Sequence, residues 1–199
     1  MSDVWAAAYV EKGESERSWT QPVPADSLAI IDSTGLDPSA AVIDIGGGAS
    51  YLVDNLVSRG FTDVTLLDIS PDALAQSRGR NSDSVTYVAG DITVWQPDRT
   101  YALWHDRAVF HFLVEEEQQE AYLGSILAGT EVGSHVIIAT FAPDGPEMCS
   151  GLPVRRWSAG QLAEQFGARF TVVEQSRSEH ATPWGSVQPF TFVHFVRTS

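Results

Sequence analysis

Three consecutive glycines, Gly46, Gly47 and Gly48, stand between an unbroken apolar run and an amphipathic one in "AAVIDIGGGASYLVDNLVSRG", Ala40 to Gly60. Glycine is costly to order and buries almost nothing, so three together mark a backbone that something must approach closely. The preceding "AVIDI" shows almost no alternation, as expected of a strand covered on both faces of a parallel sheet. The following "SYLVDNLVSRG" sets Leu52 with Leu56 and Val53 with Val57 one helical turn apart and closes at Gly60.

The same unit recurs along the chain. "DVTLLDI" reads as a strand, and "SPDALAQSR" as a helix with Ser70 as N-cap and Pro71 at its first position. "VTYVAGDI", "YALWHD" and "SHVIIATF" are the next strands, with the helix "EEEQQEAYLGSILAG" before the last of them. "SAGQLAEQFG" carries a capping box, Ser158 with Gln161, and stops at Gly167. Two final strands, "RFTVVEQS" and "PFTFVHFV", have no helix between them and must run antiparallel. Alternating strands and helices predict an α/β fold: a doubly wound, mostly parallel seven-stranded sheet with an antiparallel last strand. An earlier helix is expected in "PADSLAIIDSTG", and the segment 1–24 is expected to be an aromatic arm or short helix holding Trp5, Tyr9 and Trp19. With 199 residues, 43% of them hydrophobic, the chain suits a single domain spanning 1–199.

Charge narrows the partners. A net charge of −14 argues against nucleic acid and against an anionic membrane surface. A single cysteine permits no internal disulfide and no cysteine-based zinc site. No apolar run approaches membrane-spanning length, and the N-terminus lacks the order of a signal peptide, so a cytoplasmic protein is expected, as a monomer or homodimer.

In a doubly wound sheet, ligands bind beyond the carboxyl ends of the strands, where strand order reverses, and a glycine turn lets them lie on the backbone. A dinucleotide fingerprint fails because Tyr51 occupies its third glycine position, and no Gly-Lys-Ser/Thr ending marks a P-loop. What remains is D-x-G-x-G-x-S, from Asp44 to Ser50. With "DIGGGAS", "LLDIS" and "AGDIT", the chain resembles the class I S-adenosylmethionine-dependent methyltransferases over most of its length, with Ser50 where glycine is more usual. "WHDRAVFHFL", "CSGLPVRRWS" and "TPWGSVQPF" are similar to a small bacterial subgroup of them. The resemblance implies S-adenosylmethionine as cofactor and S-adenosylhomocysteine as product. It implies that Asp68 accepts the ribose hydroxyls with Ile69 beside it, and that Asp91 and the Ile92 N–H meet the adenine. Asp44 would favour the methionine ammonium, and the backbone of Gly46, Gly47 and Gly48 would approach the methionine. Tyr9 and Trp19 would fold over the cofactor.

Methyl transfer needs an in-line nucleophile in a site closed to water, and a base only if the acceptor loses a proton. His111 and Asp106 are the candidate catalytic groups, with His105 placed at the cofactor. These three have no metal-site spacing, so no metal is expected. Arg155 and Arg156 could hold an acceptor anion or pair with surface acids. Cys149 suits packing, and Trp184 either covers the acceptor or closes the sheet edge. A small-molecule acceptor is favoured. A protein lysine side chain, a non-catalytic cofactor-binding module and a nucleotide-dependent reductase stand as alternatives.

Overall fold

A computed structural model describes residues 19–81 and 84–199. Trp5 and Tyr9 of the expected arm lie outside the described residues. In chain order the elements are α1 (Ala25–Ser33), β1 (Val42–Ile45), α2 (Leu52–Ser58), β2 (Val64–Asp68), α3 (Pro71–Asn81), β3 (Val85–Ala89), β4 (Leu103–Arg107), α4 (Glu116–Gly129) and β5 (His135–Phe141). A small hairpin of β6 (Met148–Cys149) and β7 (Leu152–Pro153) follows, then α5 (Ala159–Phe166), β8 (Phe170–Ala181) and β9 (Val187–Arg197).

The main sheet has the order β3-β2-β1-β4-β5-β9-β8. β1 lies parallel to both β2 and β4, so the strand order reverses beside it, and β9 runs antiparallel to both β5 and β8. Every residue of β1 and of β2 is buried, which accounts for their lack of alternation. Successive side chains still point to opposite faces. Val42 and Leu103 join one core with Leu28 and Ile31 of α1, while Ile43 and Trp104 join the other with Tyr122 of α4 and Trp157.

The helix ends follow the residues expected to make them. Ser158 accepts from the Gln161 N–H at 3.2 Å, and Gln161 Oε1 accepts from the Ser158 N–H at 2.9 Å. Glu115 and Gln118 form a second capping box at the start of α4.

The last loop is shorter than expected. Pairing continues through Glu179 with Pro189, His180 with Gln188 and Ala181 with Val187, because the backbone groups there find ladder partners. Only a tight turn remains, closed by the Thr182 N–H donating to Ser186 O at 2.8 Å. Trp184 sits on that turn, 61% exposed, so it closes no sheet edge.

Candidate functional site

The glycine turn lies at the carboxyl end of β1, beside the reversal. Gly46 has φ +64° and Gly48 φ +49°, conformations that favour glycine. A Cβ on Gly46 would lie 2.0 Å from Val109 Cγ2, and one on Gly47 would lie 2.1 Å from Asp44 Oδ2 and 2.5 Å from Leu66 Cδ1. Neighbouring groups already fill the space a side chain would need. Arg80 of α3 clamps the turn from outside. It donates to Ala49 O at 3.2 Å and Ser50 O at 2.7 Å, pairs with Asp54, and covers the Tyr51 ring at 4.3 Å.

Two clefts meet at this turn, enclosing about 620 and 660 Å³ out to their mouths, and Gly46, Ala108 and Phe112 belong to both. The first opens over the ends of β2 and β3 and is lined by Leu67, Asp68, Ile69, Asp91, Ile92 and Leu113, among others. The Ser70 N–H donates to Asp68 Oδ1 at 2.7 Å. Burial raises the Asp68 carboxyl to about 7; the Ser70 and Gly48 N–H groups oppose this, and the Asp44 charge adds to it. Asp91 lies just beyond β3, where its Oδ1 accepts from the Thr93 N–H at 2.9 Å and the Thr93 hydroxyl at 2.7 Å. Ile92 is buried, and its carbonyl accepts from Ser125 Oγ of α4.

The second cleft takes the other side of the turn and includes Trp19, Ser27, Asp44, Tyr51, His105, Arg107 and Cys149. Parallel register sets Asp44 of β1 opposite His105 of β4. His105 Nδ1 lies 2.7 Å from Asp44 Oδ1, and Nε2 lies 2.9 Å from Ser27 Oγ on α1. All three side chains belong to buried residues. Asp44 Oδ2 is also buried and has no hydrogen-bond partner among the described residues. Such an acceptor is costly unless something is delivered to it.

The opposite face of β4 is arranged differently. Asp106 is wholly buried and accepts from the Val109 N–H at 2.8 Å, the Phe110 N–H at 3.0 Å and Tyr122 Oη at 2.5 Å. Burial first raises its carboxyl to about 6, the donated hydrogen bonds opposing. These bonds hold a turn in which Ala108 has φ +74°. His111, expected with Asp106 as a catalytic group, is 0% exposed between the rings of Phe112 and Phe141. Its Nδ1 accepts from the Phe141 N–H at 3.3 Å, and burial, aided by the Arg107 charge, lowers it to about 3. Neither residue lines either of these two clefts: Asp106 holds the turn through its hydrogen bonds, and His111 packs between Phe112 and Phe141 with its buried Nε2 lacking a hydrogen-bond partner among the described residues.

Arg155 and Arg156 are likewise engaged elsewhere. Arg155 lies over Trp157 at 3.9 Å and donates to Gln119 Oε1, while Arg156 donates to Gly145 O and pairs with Glu147. Ser27 and Arg107 are among the cleft residues that sequence reasoning overlooked. The period of two along "WHDR" carried the signal for Arg107, because it must share a strand face with His105 and not with Asp106. Ser27 comes from a helix far away in the chain, and nothing local marks it. Among the described residues, no group of His, Cys, Asp or Glu is assembled to hold a metal ion. Nor is any helix there long and apolar enough to cross a membrane.

A strand-order reversal, a glycine turn and acids at successive strand ends are the arrangement at which doubly wound α/β folds place their ligand sites. Residues 42–130 match the family described as a methyltransferase domain. The chain is 31% identical over 112 residues to trans-aconitate 2-methyltransferase of Rhizobium meliloti. That match takes in 56% of this chain and only 41% of the relative's length. Among solved structures, Burkholderia thailandensis 1,6-didemethyltoxoflavin-N1-methyltransferase, with 1,6-didemethyltoxoflavin and S-adenosylhomocysteine bound, aligns with a TM-score of 0.76 at 20% identity. The alignment covers 100% of this chain and 89% of that one. An Anabaena variabilis S-adenosylmethionine-dependent methyltransferase aligns with a TM-score of 0.73 at 15% identity, covering 98% and 94%. Residues 42–130 are thus similar to a methyltransferase domain, and the chain has the Rossmann-like fold seen in these solved methyltransferases.

Proposed function

We propose that this chain is an enzyme that transfers a methyl group from S-adenosylmethionine to a small-molecule acceptor. The observation that carries the reading is the pair of clefts joined at the glycine turn, one holding Asp68 and Asp91, the other Asp44 and His105. When bound, the cofactor supplies an electrophilic methyl group on a sulfonium. The residues present fit it. Asp68 accepts hydrogen bonds from the ribose hydroxyls with Ile69 beside it, while Asp91 and the Ile92 N–H take the adenine edge between apolar walls. The backbone of Gly46, Gly47 and Gly48 meets the methionine, Gly46 and Gly47 lining the second cleft, and Asp44 Oδ2, partnerless among the described residues, attracts its ammonium. Trp19 and Phe112 line the second cleft and help exclude water.

His105 is the residue that can take a proton released by the acceptor. In the tautomer that donates Nδ1–H to Asp44, Nε2 accepts from the Ser27 hydroxyl. A proton leaving the acceptor passes to Ser27 Oγ as the serine's own proton moves to Nε2, and Asp44 stabilises the resulting imidazolium. A small-molecule acceptor is supported by the trans-aconitate and toxoflavin relatives. The net charge of −14 supports an enzyme acting away from nucleic acid and anionic membranes.

Calorimetry with S-adenosylhomocysteine and, separately, NAD(H) tests the cofactor: binding of the first and not the second is expected, and the reverse result would refute the reading. Incubation with labelled S-adenosylmethionine and cell extract should then place label in low-mass material. Label confined to protein would overturn the acceptor class.

A further inference from the structure

We propose that Arg107 receives a carboxylate of the methyl acceptor, which makes the acceptor a small organic acid. The inference rests on the methyltransferase reading above and names the acceptor's chemistry.

Strand alternation turns Arg107 into the second cleft beside His105. Its guanidinium lies 4.6 Å from the centre of the Phe190 ring, and Phe190 of β9 pairs with Phe141 at the end of β5. The charge therefore sits on the β5–β9 side of the cleft. Asp68 and Asp91 mark the opposite side, over β2 and β3. An anion meeting Arg107 thus lies across the glycine turn from the ribose and adenine positions, on the side shared by the methionine and the acceptor.

The guanidinium is also short of partners. Its described hydrogen bond is one, to Trp19 O at 3.3 Å, although the group has five N–H donors in a planar fork. Five other arginines, Arg59, Arg80, Arg99, Arg156 and Arg177, pair with Asp or Glu. In a chain with 26 acidic residues against 12 basic ones, an arginine in a cleft with no carboxylate in ion-pair contact among the described residues is an unusual arrangement. Asp26 and Asp44 are near enough to favour its charge but are not bonded to it, and Asp44 Oδ1 meets His105 instead. Burial lowers Arg107 to about 10, which leaves it cationic at neutral pH. A carboxylate matches the free fork with two parallel hydrogen bonds and supplies the missing counter-charge.

The cofactor's own amino-acid carboxylate is the other possible source of such a group, and the experiment separates the two. Protein saturated with S-adenosylhomocysteine is titrated with malonate, trans-aconitate and benzoate, and with malonamide, trimethyl trans-aconitate and benzamide as uncharged counterparts. At least one acid is expected to bind at least about tenfold more tightly than its counterpart. Arg107→Gln should abolish that preference while leaving S-adenosylhomocysteine affinity within about threefold. Arg107→Lys, which keeps the charge without the fork, should retain part of it, and it serves alone if the Gln variant does not fold. The proposal is overturned if no acid is preferred, if the preference survives Arg107→Gln, or if Lys binds as well as Arg. It is also overturned if the variants lose S-adenosylhomocysteine but not 5′-methylthioadenosine, which lacks the amino-acid part. Failure of the wild-type protein to bind S-adenosylhomocysteine would instead remove the methyltransferase reading, and this inference with it.

Discussion

The two faces of β4 bury polar groups to opposite ends. On one, Asp106 answers two backbone N–H groups and Tyr122, which in turn meets the Trp104 indole N–H at 3.2 Å. On the other, Ser27, His105 and Asp44 form a chain that stops at an oxygen with no hydrogen-bond partner among the described residues, beside an arginine that no described carboxylate pairs with. A network complete within the protein holds a turn in place and leaves nothing for a ligand. A network with open ends costs stability, a cost that a ligand supplying the missing partner would offset.

The largest expected effect tests the closed side. Asp106→Ala orphans two backbone donors and the tyrosine hydroxyl, and should cost roughly 3–4 kcal/mol, read as a large drop in melting temperature. A melting point unchanged from wild type would erase the distinction between the faces. On the cofactor side, Asp68→Ala removes a charged acceptor for two hydroxyls and should weaken S-adenosylhomocysteine about a hundredfold in calorimetry. Unchanged affinity would withdraw the ribose role. Asp44→Asn should weaken the same ligand roughly tenfold while barely moving the melting temperature, in contrast with Asp106.

Asp68 also makes a prediction with pH. Its carboxyl is raised from 3.8 to about 7 in the folded state, so the folded form holds an extra proton between those values. The residue's contribution therefore favours folding at low pH and is lost as pH rises to about 7. Asp68→Asn should melt higher than wild type at pH 8, with the gap closing toward pH 4. Because ribose hydroxyls are accepted best by the ionised form, wild-type affinity for S-adenosylhomocysteine should rise between pH 6 and pH 8. A flat profile would count against the burial that sets this shift. The smallest effect is expected from Arg155→Met, which removes a contact over Trp157 and should leave the kinetics of methyl transfer unaltered.

Much of the fold was legible because buried parallel strands and capped helices write themselves into neighbouring residues. "VIDI" and "VTLLD" carry their own two-sided burial, and Ser158 with Gln161 states a helix start. The acids at the ends of β2 and β3 could be read for the same reason, since Asp68 and Asp91 follow directly from where their strands stop. His111 could not. A histidine among aromatics looks like a pocket wall in one dimension, yet the short 3₁₀ turn Phe110–Phe112 folds it beneath the site. The pairing that prolonged β8 and β9 was equally hidden, because a polar stretch becomes a strand only when a partner strand lies alongside.

By itself the sequence determined the order of strands and helices, the glycine turn and the class of ligand such a turn admits. These depend on local periodicity and on backbone conformations that only glycine adopts freely. The tertiary structure alone decided which polar groups are satisfied within the protein and which remain open. That depends on partners such as Ser27 and His105, or Arg107 and Phe190, which lie far apart along the chain and meet only when the sheet is assembled and α1 is packed against it.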